Sequence, residues 1–506
     1  MPNIVAIDAG TTGVRALLID ADTASVKKTA YRDLTVTYPK SGWVEQDPKE
    51  IIDLVVNCLQ EIDDSLNEPP IAIGITNQRE TVICWNKITG DVLAPALVWQ
   101  DRRTSDFCNK LKDQNLELEV RKKTGLYIDP YFSSTKINWL IENILASNDN
   151  VCFGTVDTWI VWNLTGGIEN GTFATEVSNA SRTQLFNIDT LAWDNELTEI
   201  FKVPSESLPE VFSSDHNFGK IHKSVGARLN FLKGVSICGV LGDQQAALFG
   251  QRCFDTGDTK ATFGTGCFIL TNSGSKFTMP LDGLLTTIAW SLKNSNSGYP
   301  NKDNICYGLE GSIFSCASTI NWTIDSLNLF TDVNEINSFA EKKETNGGVF
   351  LVPAFTGLGS PWWDPDARAI FIGLSRNTDL GNIARAVFES IVFQTIDVLD
   401  IPKANGLDIT ILKVDGGVSN SKLLLKMLAD SSQIKIFKNQ SSESTAIGAA
   451  LIAGIGIGYY KDLEDLVKIS QSGDFIQPGD KIETFSSNFE MWHRAVQRSL
   501  AWVKDQ

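Results

Sequence analysis

The sequence predicts an α/β protein made of two halves that face each other across a cleft. Short apolar runs rich in β-branched residues alternate with longer stretches of helical periodicity, as expected when strands are joined by crossover helices. Several of the short runs lead directly into glycine-rich turns. The chain has 506 residues, enough for about two to four domains of roughly 100 to 200 residues each.

The predicted strands are apolar stretches of about four to eight residues that end in Gly, Asp, Asn or Pro. They comprise residues 4–8, 16–19, 71–76, 82–85, 92–98, 236–240, 259–263, 268–271, 348–352 and 409–414. Three helices are predicted at residues 48–66, 379–399 and 441–455, where apolar residues recur at helical spacing. The first begins with Asp47 as N-cap and Pro48 with its preset φ. The alanines of the third predict close packing against a sheet.

Glycine-rich turns follow predicted strands at three places, residues 8–13, 263–266 and 415–417. One turn lies in the first half of the chain and two lie in the second. We therefore expect a domain boundary near residues 241–251. Accordingly, residues 1–245 are assigned to an N-terminal domain and residues 246–506 to a C-terminal domain.

Acidic residues outnumber basic residues by 61 to 44, which gives a formal net charge of −17. Such a surface repels phosphate backbones and anionic lipid, so we expect neither nucleic acid nor a membrane surface as a partner. The longest weakly polar run, residues 446–458, is shorter than the roughly 20 residues of a membrane span. Nine scattered cysteines form no C-x-x-C pair, and the N-terminus resembles a strand rather than a signal peptide. These features predict a cytoplasmic protein with reduced thiols and no membrane span.

The turn Gly10-Thr11-Thr12 follows a strand that carries Asp8. Glycine lets backbone N–H groups approach phosphate oxygens, the threonine hydroxyls add donors, and Asp8 is suited to hold Mg²⁺ through water. Arg15 is near enough to reach a phosphate. The same residues also fit an ordinary hairpin turn, so both interpretations stay open. The chain has no G-x-x-x-x-G-K-[ST] loop and no G-x-G-x-x-G after a strand, which excludes P-loop and Rossmann sites.

Two further polar motifs follow predicted strands. Asp243 comes after residues 236–240, where an α/β cleft would hold a catalytic base. In isolation, an Asp before an apolar run is more often a helix cap. Residues 77–80, Asn-Gln-Arg-Glu, can bond vicinal hydroxyls from both donor and acceptor sides. A solvated turn is the alternative for these four residues.

Several blocks of sequence, spread over nearly the whole chain, resemble one known family. They are residues 8–12 (Asp-Ala-Gly-Thr-Thr), 76–80 (Thr-Asn-Gln-Arg-Glu), 129–132 (Asp-Pro-Tyr-Phe), 153–159 (Phe-Gly-Thr-Val-Asp-Thr-Trp), 242–250 (Gly-Asp-Gln-Gln-Ala-Ala-Leu-Phe-Gly), 264–268 (Gly-Thr-Gly-Cys-Phe) and 353–358 (Pro-Ala-Phe-Thr-Gly-Leu). On these blocks the chain resembles the FGGY carbohydrate kinases, and among them the members that phosphorylate glycerol.

The resemblance implies an α/β, actin-like ATPase fold in which two ribonuclease-H-like domains face a central cleft. The N-terminal domain would carry the substrate and phosphate side, and the C-terminal domain the nucleotide side. The implied reaction is ATP-dependent phosphorylation of glycerol to sn-glycerol 3-phosphate by in-line transfer, in glycerol catabolism. ATP and Mg²⁺ are the implied cofactors and glycerol is the implied partner. Both homodimers and homotetramers are common in the family, so either is compatible with the resemblance.

The resemblance also assigns site residues. Asp243 would be the general base, and Asp8 would organise the metal. The residues expected to bind glycerol are Arg79, Glu80, Tyr131, Asp243 and Gln244 at its hydroxyls, and Trp99 and Phe268 at its carbon edge. The residues expected to bind ATP are Thr11, Thr12, Gly13, Arg15, Thr265, Ala317, Asn321, Gly417 and Ser421. The chain departs from the family pattern at Gly13, Ala317, Asn321 and Ser421, where Ser, Gly, Gln and Asn are usual.

Two alternatives remain open. An FGGY kinase for another small polyol or a ketose would use the same base and phosphate turns. A non-catalytic actin-like ATP-binding protein would close its cleft without transferring a phosphoryl group. The joint presence of Asp8, Arg79, Glu80, Asp243 and Thr265 argues against this second alternative.

Overall fold

The structure is a computed structural model that describes residues 2–145, 149–225, 229–293, 297–480 and 483–503. The strands of its first half are β1 (Asn3–Ala9), β2 (Gly13–Asp20), β3 (Val26–Asp33), β4 (Glu45–Gln46), β5 (Ala72–Asn77), β6 (Ile83–Asn86), β7 (Ala96–Leu97), β8 (Val151–Gly154), β9 (Ala174–Glu176), β10 (Phe186–Asn187), β11 (Ala192–Trp193), β12 (Glu210–Phe212), β13 (Gly219–Lys220) and β14 (Ser236–Gly242). Those of its second half are β15 (Thr259–Phe263), β16 (Cys267–Gly274), β17 (Leu285–Ser291), β18 (Ile305–Ile313), β19 (Phe350–Val352), β20 (Ile370–Ile372), β21 (Ile411–Asp415), β22 (Lys435–Asn439) and β23 (Gly473–Ile476).

The helices lie between these strands and after the last of them. They are α1 (Pro48–Asp63), α2 (Ser105–Asp113), α3 (Glu117–Thr124), α4 (Ser133–Asn143), α5 (Val156–Leu164), α6 (Val177–Ala180), α7 (Asn195–Phe201), α8 (Asp243–Gly250), α9 (Ala317–Asn321), α10 (Val333–Glu341), α11 (Leu380–Ala404), α12 (Lys422–Ser432), α13 (Ser444–Gly456), α14 (Leu463–Lys468) and α15 (Glu483–Ser499). A short 3-10 segment, Gly417–Asn420, joins β21 to α12.

Two large mixed sheets repeat one strand arrangement. The first has the order β13-β14-β5-β1-β2-β3, and the second has the order β17-β18-β16-β15-β21-β22-β23. In each sheet an antiparallel hairpin, β1-β2 or β15-β16, lies beside parallel strands, β5 and β14 or β21 and β22. The central strands are buried on both faces because helices cover the sheets, as in other α/β proteins. This repeat confirms the predicted two-part α/β fold.

Helices α8 and α13 join the two halves. A Cβ on Gly250 would lie 1.9 Å from the carbonyl oxygen of Ser444, and a Cβ on Gly448 would lie 1.9 Å from that of Ala246. Only glycine allows backbones to approach so closely. Helix α13 also packs on the first sheet, where a Cβ on Gly74 would lie 2.0 Å from the Ala449 carbonyl. The close packing predicted for this alanine-rich helix is confirmed.

Most predicted elements are present, although the bounds of several differ from the prediction. Only Ala96–Leu97 forms a strand within residues 92–98, because Pro95 lacks the N–H that a ladder requires. Helix α1 ends at Asp63 rather than Leu66. The assigned boundary between residues 245 and 246 falls inside α8, and it stays a prediction.

The predicted absence of a membrane span and the predicted reduced thiols concern the chain as a whole. None of its helices is long and apolar enough to cross a membrane. All nine cysteines are buried and unpaired, as expected of reduced thiols.

Candidate active site

Three neighbouring parallel strands end at one edge of the first sheet. In the register of β1, β5 and β14, Asp8 lies beside Thr76, and Gly242 lies beside Asn77. The residues that follow these strand ends therefore meet in one corner of the cleft, the usual place for a site in an open α/β sheet. The fold brings together Asp8, the 77–80 motif and Asp243, as their positions after strands predicted.

Asp243 is the first residue of α8, and Gly242 is the N-cap, so the interpretation of Asp243 as a simple cap is wrong. Its Oδ1 accepts the Gln244 backbone N–H at 2.7 Å and pairs with Arg79 Nε at 3.1 Å. No described residue bonds to Oδ2, and the side chain is 30% exposed. Withdrawal from water raises the pKa of Asp243, and the Arg79 charge opposes that rise. One carboxylate oxygen is thus fixed while the other faces the cleft.

Arg79 and Glu80 belong to a buried ion-pair network that crosses between the two halves. Arg79 donates to both carboxylate oxygens of Glu310 on β18. Arg182 donates to Glu80 at 2.7 Å and to Glu310 at 2.8 Å. All four side chains are 2% exposed or less. The alternative of a solvated turn for the 77–80 motif is therefore wrong.

Glu310 is strongly held in its charged form. Burial alone would raise the pKa of this carboxyl, but the guanidinium groups of Arg182 and Arg79 outweigh burial and lower it to about 2. Arg79 donates to Gln245 and Tyr131 at 3.3 Å each, which are its longest bonds. Arg79 is therefore a fixed support for Asp243 in this conformation, and its role as a glycerol ligand stays a prediction.

Aromatic rings form the apolar wall of the corner. Trp99 packs edge-on against Tyr131 with ring centroids 5.5 Å apart and against Phe268 at 6.3 Å. Phe268 comes from the second sheet, so the wall also spans the two halves. The indole Nε1 of Trp99 donates to Thr11 Oγ1 at 2.8 Å, which fixes the ring against the first glycine-rich turn. The predicted aromatic residues lie together as expected.

Lys260 is a site residue that the sequence analysis missed. Its Nζ donates to Gln244 Oε1, to Thr262 Oγ1 at 3.1 Å and to the Phe268 carbonyl at 3.4 Å. Burial lowers the pKa of this ammonium, whereas the carboxylates of Asp415 and Asp243 oppose that effect. Lys260 and Thr262 share one face of β15 because they are two residues apart, a signal that could have been read from the sequence once the strand was predicted.

The first glycine-rich turn is the loop of the β1-β2 hairpin, in which Ala9 pairs with Val14. Thr12 is exposed at its tip. Gly13 lies under the ring of Tyr31, and a Cβ there would be 2.4 Å from that ring. Any side chain at position 13 would therefore collide with Tyr31 in its present position, which accounts for Gly where the family usually has Ser. The hairpin interpretation is confirmed in geometry, while binding of phosphate by the turn stays a prediction.

Arg15 points toward the second half of the molecule. Its Nη1 pairs with Glu443 Oε2 at 2.9 Å, and the Arg15 side chain is 40% exposed. Glu443 is the N-cap residue of α13. Arg15 thus links the β1-β2 hairpin to α13, the helix that packs between the two halves. The two residues of this ion pair are too distant in sequence for pattern analysis to find.

The second half has two glycine-rich turns. The loop 264–266 joins β15 to β16, and Thr262 lies beside Asp415 in the parallel register with β21. Gly416 has φ of 88°, and a Cβ there would be 2.4 Å from the Phe263 carbonyl, so this turn requires glycine. Gly417 follows directly, and Thr265 in the loop 264–266 is exposed.

The predicted adenosine contacts lie around these turns. Ala317 begins α9, and its N–H donates to the Gly264 carbonyl at 3.1 Å. Asn321 is exposed at the end of α9. Ser421 caps α12: its hydroxyl accepts the Leu424 N–H and donates to Asn337 at 2.6 Å. The Ser421 hydroxyl is already engaged, whereas the exposed Asn321 side chain has no hydrogen bond to a described residue.

Asp8 has the chemistry of a Mg²⁺ ligand. No described residue donates a hydrogen bond to its carboxylate. Burial raises the pKa of Asp8 to about 7; Arg15 opposes that rise, and the carboxylates of Asp243 and Glu443 add to it. A divalent cation would remove this penalty, and Mg²⁺ commonly binds one or two carboxylates with several waters and phosphate oxygens. The described residues contain no cluster of three or more metal-binding side chains.

Two sheets of one repeated topology carry glycine-rich turns and the Asp243 carboxylate at their strand ends, the kinds of parts with which a phosphotransferase positions its reactants. The sequence model of the FGGY family of carbohydrate kinases, N-terminal domain, matches residues 3–250, and that of its C-terminal domain matches residues 259–457. The chain belongs to the FGGY family of carbohydrate kinases, which confirms the resemblance.

Known relatives extend over the whole chain. A glycerol kinase of Francisella philomiragia is 44% identical over 99% of this chain and 99% of its own. The crystal structure of Plasmodium falciparum glycerol kinase with ADP aligns with a TM-score of 0.88 at 34% identity, covering 99% of this chain and 98% of that one. A xylulose kinase structure from Lactobacillus acidophilus aligns with a TM-score of 0.89 at 21% identity, covering 98% of each chain. This last likeness concerns the fold alone.

Proposed function

We propose that this chain transfers the γ-phosphoryl group of ATP to glycerol and releases ADP and sn-glycerol 3-phosphate. The proposal rests on the side chains that meet at the ends of β1, β5 and β14. Asp243 has a carboxylate oxygen that bonds to no described residue and lies beside the Arg79 and Glu80 network. Arg79 also contacts Tyr131, which packs against Trp99. Relatives with the name glycerol kinase cover the same full length, which supports glycerol over other substrates of the family.

The substrate would lie with its hydroxyls on the polar side and its carbon edge on the rings. Asp243 and Glu80 supply acceptors, while Tyr131 and Gln244 supply a hydroxyl and an amide. Arg79 would exchange its 3.3 Å bonds to Gln245 or Tyr131 for a substrate hydroxyl. A site that pairs every hydroxyl rejects analogues that lack one, because its own polar groups would lose their partners.

The chemistry follows from the free oxygen of Asp243. As the glycerol oxygen forms its bond to the γ-phosphorus, its proton passes to Asp243 Oδ2, and the bond between the γ-phosphorus and the bridging oxygen of ADP breaks. Lys260 lies beside Gln244 and would help to balance charge on the transferring group. Withdrawal of the network from water strengthens each of these interactions.

ATP would be held between the glycine-rich turn of the first half and the two glycine-rich turns of the second half. Thr11, Thr12, Gly13 and Arg15 would contact its phosphates from the first half. The residues expected from the second half are Thr265, Ala317, Asn321, Gly417 and Ser421. Arg15 can reach a phosphate only by sharing or leaving Glu443. Mg²⁺, when bound at Asp8, would neutralise phosphate charge.

A cytoplasmic location is part of the proposal. Nine buried, unpaired thiols support it, because such thiols persist in a reducing compartment. A homodimer or a homotetramer stays a prediction.

A substrate panel tests the proposed reaction. ADP release, coupled to NADH oxidation, is expected with glycerol and Mg-ATP, with much lower kcat/KM for dihydroxyacetone, xylulose and ribulose. Turnover of a ketose without turnover of glycerol would contradict the substrate assignment. ATP binding without ADP release on any substrate would favour the non-catalytic alternative.

Arg79→Ala is expected to raise KM for glycerol by about ten- to a hundredfold, the loss of one charge-assisted bond. KM for ATP should change far less, because Arg79 lies on the substrate side. Steady-state kinetics with each substrate varied in turn measures both values, and Arg79→Lys controls for the loss of the buried charge. An effect confined to ATP would remove Arg79 from the substrate site.

A further inference from the structure

One buried arginine outside the proposed active site, Arg252, has two guanidinium nitrogens without a hydrogen-bond partner among the described residues. Arg252 follows α8 and is 7% exposed. Its Nε and Nη1 are buried without a hydrogen bond, and no described carboxylate pairs with its side chain. Burial lowers its pKa to about 10, so it is still charged at neutral pH. A buried charge without a partner is costly, and native proteins normally pair it.

Arg252 lines a cavity of about 410 Å³. Its lining includes the side chains of Ser25, Asn439, Gln440, Ser441, Ser470 and Ser472, together with the apolar residues Ala24, Val26 and Ile447. Glu443 also reaches the cavity, but its carboxylate is bound to Arg15. Lys413 adds positive charge nearby, since its Nζ donates to the Gln251 and Arg252 carbonyls at 2.8 and 2.9 Å. The cavity lining thus combines one guanidinium with several hydroxyl and amide side chains, and its one carboxylate is engaged by Arg15.

The residues that line this cavity favour an occupant with an anionic, oxygen-rich group. A guanidinium donates well to phosphate oxygens, and with Nε and Nη1 of Arg252 fully buried, Nη2 is the nitrogen left for such a contact. Hydroxyls and amides can bond both phosphate and the hydroxyls of a small carbon skeleton. The volume lies in the range of small-molecule sites, about 300 to 1,000 Å³, and exceeds what one phosphate fills. The residues of the three glycine-rich turns do not line it, so it is separate from the proposed ATP site.

The cavity contacts both halves of the molecule and both sides of the cleft. Ser25 belongs to the β2-β3 turn of the first sheet, whereas the loop after β22 belongs to the second. Asn439 donates to Gln251, which in turn donates to Asp415 at 2.9 Å. Through Glu443 the same loop reaches Arg15 of the phosphate hairpin. An occupant would thus favour one arrangement of the two halves over others.

We propose that this cavity binds a phosphate group, either as inorganic phosphate or as a small phosphomonoester, and that its occupancy alters the apparent affinity for ATP. Arg252 is the anchor. The proposal does not depend on which alcohol the enzyme phosphorylates.

Calorimetry on the full chain tests the site directly. The enzyme is first saturated with Mg²⁺ and a non-hydrolysable ATP analogue, so that the phosphate turns are occupied. Inorganic phosphate and glucose 6-phosphate are then titrated at constant ionic strength, with glucose as the uncharged control. Tighter binding of glucose 6-phosphate would identify a phosphomonoester as the preferred occupant, and tighter binding of phosphate would identify the free anion.

Arg252→Leu is expected to weaken this binding by about tenfold or more, the loss of a charge-assisted contact. Arg376→Leu, which removes an exposed arginine far along the chain, should leave it unchanged. In phosphate-free buffer Arg252→Leu should not lower Tm, because it removes an unpaired buried charge. Equal binding by wild type and Arg252→Leu, or no binding by either ligand, would overturn the site. Binding that leaves KM for ATP unchanged would overturn its coupling to the nucleotide.

Discussion

Asp243→Asn is expected to lower kcat by about 10²- to 10⁴-fold, the usual contribution of a general base, while KM for glycerol changes by only a few fold. Asparagine matches the carboxylate in shape, so it can still accept the Gln244 N–H and face Arg79 Nε through one oxygen. An amide at the position of Oδ2 can bond the substrate hydroxyl but cannot take its proton. Loss in kcat without loss of binding identifies an interaction made in the transition state.

Steady-state kinetics with glycerol and Mg-ATP measures this effect, and Asp53→Asn, an exposed change on α1, is the matched control. The wild-type kcat should fall as the pH falls through the pKa of Asp243, because the protonated acid cannot accept a proton. That pKa is raised above the ordinary value of 3.8 by burial, so the acid limb should lie above the range of an exposed Asp. The limb should be absent from the variant. A variant with wild-type kcat would exclude Asp243 as the base.

The sequence predicted the parts of the site that lie next to strand ends. Asp8, the 77–80 motif and Asp243 each follow an apolar run, and parallel strands deliver such residues to one edge of a sheet. The glycine-rich turns of the second half were predicted for the same reason. Their local patterns suffice because each turn is built from residues adjacent in the chain.

The sequence did not predict contacts that depend on how the two halves dock. Glu310 meets Arg79 across 231 positions, and Glu443 meets Arg15 across 428. No local period encodes such pairs. Glu310 did carry one visible signal, since a lone carboxylate inside the apolar strand β18 is rarely buried unless it is paired. The pairing of Gly13 with Tyr31 was hidden because it depends on the register of β2 and β3.

Glu310→Gln is expected to reduce both stability and substrate binding. The change leaves Arg79 and Arg182 buried without their shared carboxylate, and removal of one partner from a buried ion pair costs about 3 to 5 kcal/mol. We expect a fall of several degrees in Tm and a raised KM for glycerol, because Arg79 loses the contact that holds it beside Asp243. Asp189→Asn, which removes the exposed pair with Lys302, should cost about 1 kcal/mol or less.

The pH dependence of stability distinguishes the loss of the Glu310 ion pairs from a general loss of packing. The pKa of Glu310 is lowered from 4.5 to about 2 in the folded protein, so its contribution is complete above the unfolded value and is lost as the pH falls from about 4.5 toward 2. Wild type should therefore lose more stability over that interval than Glu310→Gln, with Tm measured by scanning calorimetry at each pH. Parallel curves for the two proteins would show that the carboxylate charge does not hold the two halves together. In that case the raised KM of the variant would have to come from altered packing at β18 instead.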